Sequence, residues 1–307
     1  MATIKEIKQR RNSIESTSQI TKAMKLVATV KLQRTKEIAE KSIPYFDTMY
    51  ETMIELLNKS SNLIHKFIKN SERGKSAIIV ISSDRGLAGG YNSSVVKEFE
   101  KGIKEFEIDK DDILIYSLGA KARDQLKRKN YEIKKDYSKI LNSPSFEDAY
   151  NMSKDLLNDF ENGIISKIYI LYTYFRNTVV HIPKFMKLLP ITTHDLDNNT
   201  TAELTTKKNA FVVKKSEYLD NDNVVMNYEP NDDEILNLII PKYITAIIFG
   251  AINSSLASEN GARMTAMDNA TNNANELIEE LSIQYNRARQ GAITQELTEI
   301  IAGANAI

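Results

Sequence analysis

Apolar positions at both ends of the chain recur with the spacing of one helix face. Near the N-terminus, the apolar residues within 3–57 are Ile4, Ile7, Ile14, Ile20, Met24 and Val27, then Ile38, Phe46, Met49, Met53 and Leu57. From Met267 onward, gaps of three and four residues lead through Ala270, Ala274, Ile278, Leu281, Tyr285, Ala288 and Ala292. The first pattern predicts one long helix, and the second is close to a heptad repeat.

The C-terminal helix is predicted to begin just after a Glu-Pro-Asn segment, where Asn231 and Asp232 provide capping side chains. We expect residues 242–302 to form one helix whose start is bent by Pro241, and Pro44 to kink the N-terminal helix. Helices this long far exceed the mean of about 11–12 residues in globular proteins. Two of them in one chain predict an intramolecular antiparallel coiled coil, and its Ala-rich seam needs a surrounding partner.

The two terminal segments carry opposite net charge. Residues 1–41 hold ten basic and four acidic residues, a net charge of +6, whereas residues 242–307 hold four basic and seven acidic residues, a net charge of −3. Opposite signs favour pairing of the two helices, although exposed ion pairs contribute only about 0.2–1 kcal/mol each. Glu276, Glu279 and Glu280 are interpreted as a solvated acidic face.

The middle of the chain, about residues 74–192, alternates apolar runs with helical patterns. Strands are predicted at 77–82, 112–117 and 168–175, and helices near 91–107, 119–129 and 145–161. This order predicts a mostly parallel sheet covered by helices. Residues 178–189 are predicted to add an edge strand, because Pro183 excludes a central position.

These patterns predict an α/β fold combined with a long antiparallel coiled coil. We expect an N-terminal coiled-coil helix over 1–60, a central Rossmann-like α/β domain over 74–227 and a C-terminal coiled-coil helix over 230–307. Within the central domain, an Asn/Asp-rich insertion at 194–227 is expected to form loops with one hairpin, pairing 210–213 with 224–226.

Residue types used in catalysis and metal binding are scarce. The chain has no Cys, and its three His residues lack the spacing of metal ligands. Its 41 basic and 41 acidic residues give zero net charge, which argues against bulk electrostatic capture of nucleic acid or an anionic membrane. The longest apolar stretch, about 243–252, covers half a membrane span, and the N-terminus lacks the apolar region of a secretory signal. We therefore predict no cofactor and no metal.

A Gly-rich segment, Ser83-Asp-Arg-Gly-Leu-Ala-Gly-Gly-Tyr-Asn92, follows the first predicted strand and precedes a helix. Phosphate-binding loops occupy this position in dinucleotide-binding folds. The segment matches neither G-x-G-x-x-G nor G-x-x-x-x-G-K-[ST], and it lacks a Lys at its end. The pattern favours a tight strand-to-helix turn over a nucleotide site.

Five segments resemble the gamma subunits of F-type ATP synthases. They are ITKAMKLVA (20–28), SDRGLAGG (83–90), YEP (228–230), ARMTAM (262–267) and ARQGAITQELTEIIAGA (288–304). They occur in family order and span the chain. The resemblance implies a non-catalytic central-stalk rotor that couples ion flow through a membrane c ring to ATP synthesis or hydrolysis at alpha/beta catalytic sites. It implies as partners three alpha and three beta subunits, the epsilon subunit and the c ring, with no nucleic acid.

The resemblance also assigns residues to surfaces. Those implied to contact the beta subunits are Met24, Arg289, Gln290 and Thr294. Those implied to serve the helix pair and its contacts with the head are Arg263, Glu296 and Glu299. Those implied for the foot, near epsilon and the c ring, are Tyr228 and Glu229. The apolar tail 300–307 would sit in a bearing at the top of the ring.

Some features depart from the family pattern. Gly291, within the 288–304 segment, is expected to lower the local stiffness of the helix, and the lack of Cys excludes thiol control. We expect a bacterial protein, peripheral at the cytoplasmic face of the cell membrane. Two alternatives remain: a stand-alone coiled-coil scaffold with an α/β head, and an α/β enzyme that binds a nucleotide at 86–92.

Overall fold

The computed structural model describes residues 3–59, 66–68, 74–191 and 232–305. Its helices and strands are, in chain order, α1 (Ile4–Lys59), β1 (Lys75–Ile81), α2 (Tyr91–Glu105), β2 (Ile113–Leu118), α3 (Ala120–Arg128), β3 (Glu132–Asp136), α4 (Phe146–Glu161), β4 (Ile165–Phe175), β5 (His181–Leu189) and α5 (Asp232–Asn305). Short 3-10 turns at Lys110–Asp112 and Ser138–Asn142 precede β2 and α4. The hairpin predicted within 210–226 lies outside the described residues.

The two terminal helices are long, as the apolar spacing predicted. Helix α1 has 56 residues and α5 has 74. Pro44 and Pro241 each lie inside a helix that continues past them. A proline lacks the N–H that would bond the carbonyl four residues earlier. One turn after each proline, a threonine hydroxyl donates to the proline carbonyl: Thr48 to Pro44 at 3.0 Å and Thr245 to Pro241 at 2.8 Å.

The central sheet has five strands in the order β3-β2-β1-β4-β5. The first four strands run parallel, and β5 pairs antiparallel with β4. Both predictions for this region are confirmed: the sheet is mostly parallel, and the strand that contains Pro183 lies at an edge. Register is set by pairs such as Ile79 with Tyr116 and Ile79 with Ile170.

Helices cover both faces of the sheet because the side chains of each strand alternate between them. On one face, Ile79 and Ile170 pack with α4, with the first third of α5 and with Met53 of α1. On the other face, Ile78 and Leu171 pack with α2 and α3. Since β1, β2 and most of β4 are buried on both faces, they are continuous apolar runs in the sequence.

Strand β3 was absent from the sequence prediction. Its sequence, Glu-Ile-Lys-Lys-Asp, is mostly exposed and carries four charged residues out of five. Strand patterns are recognised from apolar alternation, and a short edge strand has little apolar surface to bury. Hydrogen bonding to β2, from Leu114 paired with Glu132 onward, determines this strand instead.

The chain divides into two compact units. One consists of residues 1–30 with 263–307, and the other of residues 31–262.

Helix α5 includes a stretch long and apolar enough to cross a membrane, but 56% of its most apolar segment is buried inside the chain. Ile240, Ile244 and Ile248 in this helix belong to the core that covers the sheet. Contacts within the protein therefore account for the apolar character of this stretch.

Candidate interaction surface on the helix pair

In the unit formed by 1–30 and 263–307, α1 and α5 pair antiparallel. Ser18 donates to Asn275 Oδ1 at 2.9 Å, the hydroxyls of Thr21 and Thr271 lie 2.7 Å apart, and Lys25 Nζ lies 2.6 Å from Asp268 Oδ1. Further toward the N-terminus, the Arg11 guanidinium lies 5.6 Å from the ring centroid of Tyr285. Partner numbers fall along α5 as they rise along α1, which defines the antiparallel direction.

The seam between these helices follows a seven-residue repeat. Met267, Ala274 and Leu281 are buried on α5, and Thr21 and Ala28 are buried on α1. A repeat of seven residues keeps one face of a helix toward its partner. All three buried α5 positions belong to the heptad pattern read from the sequence, and Glu276, Glu279 and Glu280 are exposed as predicted.

The C-terminal end of α5 is exposed. Every residue from 293 to 304 is exposed, and the large apolar side chains among them are Ile293, Leu297, Ile300 and Ile301. On α1, Ile20, Leu26, Val27 and Val30 are also more than half exposed. By the antiparallel register, these α1 residues lie beside about 262–272 of α5, so they form a separate exposed group. Exposed apolar side chains grouped at the end of a helix, as at 293–301 of α5, indicate a surface that contacts another protein.

The predicted beta-subunit contacts occupy two parts of this unit. Arg289, Gln290 and Thr294 are exposed on α5, and Met24 on α1 is half-buried. Gln290 and Thr294 are one turn apart, and the Thr294 hydroxyl donates to the Gln290 carbonyl at 2.9 Å. Arg289 and Gln290 therefore present their charge and their amide to solvent at the start of the exposed end.

The remaining predicted site residues separate into three positions. Arg263 is half-buried at the first residue of the α5 segment in this unit. Glu296 and Glu299 are exposed, and Gln295 donates to Glu299 Oε1 at 3.0 Å. Tyr228 and Glu229 lie outside the described residues. The sequence did not predict the individual pairs that hold the helices together, Lys25 with Asp268 and Thr21 with Thr271. Only the opposite net charges of the two segments indicated that the helices would pair.

The loop at 83–92 in the α/β unit is closed by hydrogen bonds of its own. Asn92 Oδ1 accepts from the Ser83 N–H at 3.1 Å and from the Ser83 hydroxyl at 2.9 Å. Gly90 directly precedes α2, so the segment is the tight strand-to-helix turn that the sequence favoured. Leu87, in the left-handed region at φ 64°, is mostly exposed at its tip.

The N-terminus of α3, beside this loop, has no backbone donor left for a phosphate among its first three residues. The N–H groups of Ala120, Lys121 and Ala122 donate to Asp84 Oδ1 at 3.0 Å, to the Ser83 carbonyl at 3.0 Å and to the Ser82 hydroxyl at 3.0 Å. Phosphate binding at a helix N-terminus uses these same donors. The start of α3 is therefore occupied by the loop itself, whereas the nucleotide-binding alternative at 86–92, which precedes α2, stays a prediction.

An antiparallel helix pair with an exposed apolar end, carried by a chain that also forms an α/β domain, defines a shaft-type interaction subunit. The ATP synthase family profile matches residues 3–307. The ATP synthase gamma chain of Lachnoclostridium phytofermentans is 50% identical over 307 residues, covering 100% of both chains. The sodium-ion-specific gamma chain of Acetobacterium woodii is 39% identical over 304 residues, covering 99% of this chain and 98% of the relative.

A solved structure has the same fold. The rotor of the Euglena gracilis mitochondrial ATP synthase, in rotational state 1, matches with a TM-score of 0.61 and 16% identity, covering 94% of this chain and 98% of that chain. The chain belongs to the family of F-type ATP synthase gamma subunits. The family resemblance in the five sequence segments is thereby confirmed.

Proposed function

We propose that this chain is the central-stalk rotor of a bacterial F-type ATP synthase, and that it couples ion flow through a c ring to ATP synthesis or hydrolysis. The observation that carries the proposal is the antiparallel pair of α1 and α5 with its exposed apolar end. Full-length identity of 50% to a bacterial gamma chain supports it. Catalysis belongs to the alpha and beta subunits, and this chain performs none.

Rotation changes the beta subunits because the surface of the shaft is asymmetric. The N-terminal segment is basic and the C-terminal segment is acidic, so the three surrounding catalytic sites meet different surfaces at any one angle. A ligand or partner shifts a conformational equilibrium only by binding its states differently. Each orientation of the shaft therefore favours a different beta conformation and a different nucleotide affinity.

Residues of this chain have three roles in the proposal. Contacts to the beta subunits are made by Met24, Arg289, Gln290 and Thr294. Contacts within the helix pair and to the head are made by Arg263, Glu296 and Glu299. The foot, toward epsilon and the c ring, includes Tyr228 and Glu229. The apolar side chains at the end of α5 turn inside the ring of three alpha and three beta subunits, and the complex lies at the cytoplasmic face of the membrane.

Co-purification from native membranes tests the assignment. We expect the chain to be recovered with alpha, beta and epsilon subunits, identified by mass spectrometry, and with Mg²⁺-dependent ATPase activity. Recovery of the chain alone, or with unrelated proteins, would contradict the rotor and favour the stand-alone scaffold.

Rotation itself is observable in a complex of this chain with alpha and beta subunits. Because the chain has no Cys, an exposed Lys97→Cys substitution on α2 offers a single attachment point for a bead. With the alpha/beta ring fixed to glass, we expect ATP to drive rotation of the bead in one direction. A bead that only fluctuates while the complex hydrolyses ATP would rule out the rotor function.

A further inference from the structure

The carboxyl end of β4 extends beyond its neighbour β1. Pairing of the two strands ends at Val80 with Leu171, whereas β4 continues to Phe175 along β5. Thr173 lies on this extension, opposite Pro183 of β5. Because the pairing with β1 has ended, backbone groups of β4 beyond Leu171 that face the β1 side need partners other than a strand.

Three serines of α5 provide those partners, and we name Ser254, Ser255 and Ser258 the serine cluster. Ser255 Oγ accepts from the Thr173 N–H at 3.0 Å. The Thr173 carbonyl accepts from the hydroxyls of Ser254 at 3.1 Å and of Ser258 at 3.2 Å. Ser254 Oγ also accepts from the Phe175 N–H at 3.1 Å, so this hydroxyl acts as both donor and acceptor.

The serine cluster is isolated from water. Its three members and Thr173 are all buried. A further hydrogen bond ties this turn of α5 to α2, where the Tyr91 hydroxyl donates to the Ser255 carbonyl at 3.3 Å. The point where β1 and β4 diverge is where open α/β sheets bind their ligands, and here a helix occupies it.

The directional bonds of the serine cluster resist rotation of α5 about its own axis more sharply than apolar packing alone. Most of the α5 surface against the sheet is apolar, as at Ile244, Ile248 and Ile252, and the Thr245 hydroxyl adds one contact, at 2.6 Å from the Ser153 hydroxyl of α4. Interdigitated apolar side chains also resist rotation of a helix about its own axis, but they can adjust to a small rotation by changing rotamer, because their contacts are non-directional. Hydrogen bonds weaken steeply as their angles depart from linear, so such a rotation would break all four bonds of the serine cluster to β4.

We propose that the serine cluster fixes the rotational position of α5 on β4, so that torque passes between the α/β domain and the C-terminal helix without slip. These serines are positioning residues, and they act through the helix that they hold. The proposal rests on the rotor function proposed above, because only a rotating subunit must transmit torque along α5.

The test compares angular fluctuations of a bead on Lys97→Cys in paused complexes with alpha and beta subunits. The variant is Ser254→Ala/Ser255→Ala/Ser258→Ala. The matched control is Ser166→Ala, which removes another buried serine bond of the α/β domain, to the Gly74 carbonyl at 2.9 Å, without touching α5. We expect the triple variant roughly to double the angular variance, because directional bonds are lost and apolar contacts remain. Ser166→Ala should leave the variance unchanged.

Other measurements separate this role from simple stability. If the triple variant does not assemble, Ser255→Ala and Ser255→Thr replace it: the alanine should raise the variance, and the threonine, which keeps the hydroxyl, should restore it. Equal variance in wild type and in the serine variants, with lowered melting temperatures alone, would overturn the proposal. A wild-type complex that fails to rotate on ATP would instead refute the rotor function itself.

Discussion

Lys25 of α1 and Asp268 of α5 form an ion pair, with Nζ 2.6 Å from Oδ1, one turn away from the hydroxyl contact between Thr21 and Thr271. The two side chains are 39% and 46% exposed. The ion pair joins residues that are 243 positions apart in the chain, and the hydroxyl contact joins residues that are 250 positions apart. Together they define the register of the helix pair.

We expect the Lys25–Asp268 pair to contribute little free energy. An exposed ion pair yields about 0.2–1 kcal/mol, so the coupling in a double-mutant cycle of Lys25→Ala and Asp268→Ala should lie in that range. Urea unfolding followed by circular dichroism measures it. The coupling should fall in high salt, whereas that of Thr21→Val with Thr271→Val should not. A salt-insensitive coupling above this range would show that the pair is effectively buried.

Gly119 is a position where a side chain cannot fit. Its φ of +112° lies in the region that favours glycine, and a Cβ would lie 2.3 Å from the Ser82 carbonyl oxygen. Gly119→Ala should therefore destabilise the α/β unit by about 3 kcal/mol or more, since strain and steric overlap add. Urea unfolding of the chain measures this loss.

Gly163 provides the matched control for Gly119. Its φ is also positive, at +71°, but a Cβ there meets nothing within 4 Å. Gly163→Ala should cost only the backbone strain, about 1–2 kcal/mol. Equal losses for the two variants would show that the Ser82 contact relaxes without cost.

The sequence predicted those parts of the fold in which burial and periodicity coincide. Strands β1, β2 and β4 are apolar runs buried on both faces, and the heptad positions Met267, Ala274 and Leu281 are buried in the seam. Strand β3 escaped prediction because its hydrogen bonds to β2 leave no trace in an exposed, charged sequence. Likewise, no periodicity in α5 distinguishes the serines that bond to β4 from other small helical residues.

The candidate contact residues on the helix pair could be predicted from the sequence only through the family resemblance. Arg289 and Gln290 are ordinary exposed residues, and nothing in their local chemistry indicates a partner. The antiparallel direction of the helix pair was predictable from the positions of the two segments at opposite ends of the chain. The partner of a given residue was not predictable, because seven-residue repeats permit several alignments that differ by one heptad.

Acid should weaken the α/β unit through Asp155. Burial alone would raise the pKa of this carboxyl, but hydrogen bonds from the Lys135 ammonium at 2.8 Å and the Tyr137 hydroxyl at 2.6 Å hold the pKa below its ordinary value. A carboxyl with a depressed folded-state pKa contributes stability above its unfolded pKa of about 4. That contribution is lost as the pH falls through the folded value.

Urea unfolding at several pH values checks the Asp155 contribution. Asp155→Asn should lower stability at neutral pH and flatten the loss of stability below about pH 4. Asp111→Asn, which changes an exposed carboxylate, is the control and should keep the wild-type profile. A wild-type slope in Asp155→Asn would mean that other carboxyls dominate acid unfolding.

The proposed contact of Arg289 and Gln290 with the beta subunits is the residue assignment that is easiest to refute. We expect Arg289→Ala/Gln290→Ala to lower assembly or ATP turnover of the complex roughly two- to tenfold, equivalent to about 0.4–1.4 kcal/mol of lost contact. Arg287→Ala removes the same exposed charge two residues away, about 200° around the helix, and should have little effect. Gel filtration and coupled ATPase assays measure both properties. If the double variant assembles and turns over like wild type, Arg289 and Gln290 do not contact the beta subunits. If Arg287→Ala lowers assembly or turnover equally, general electrostatic attraction explains the effect instead of a specific contact.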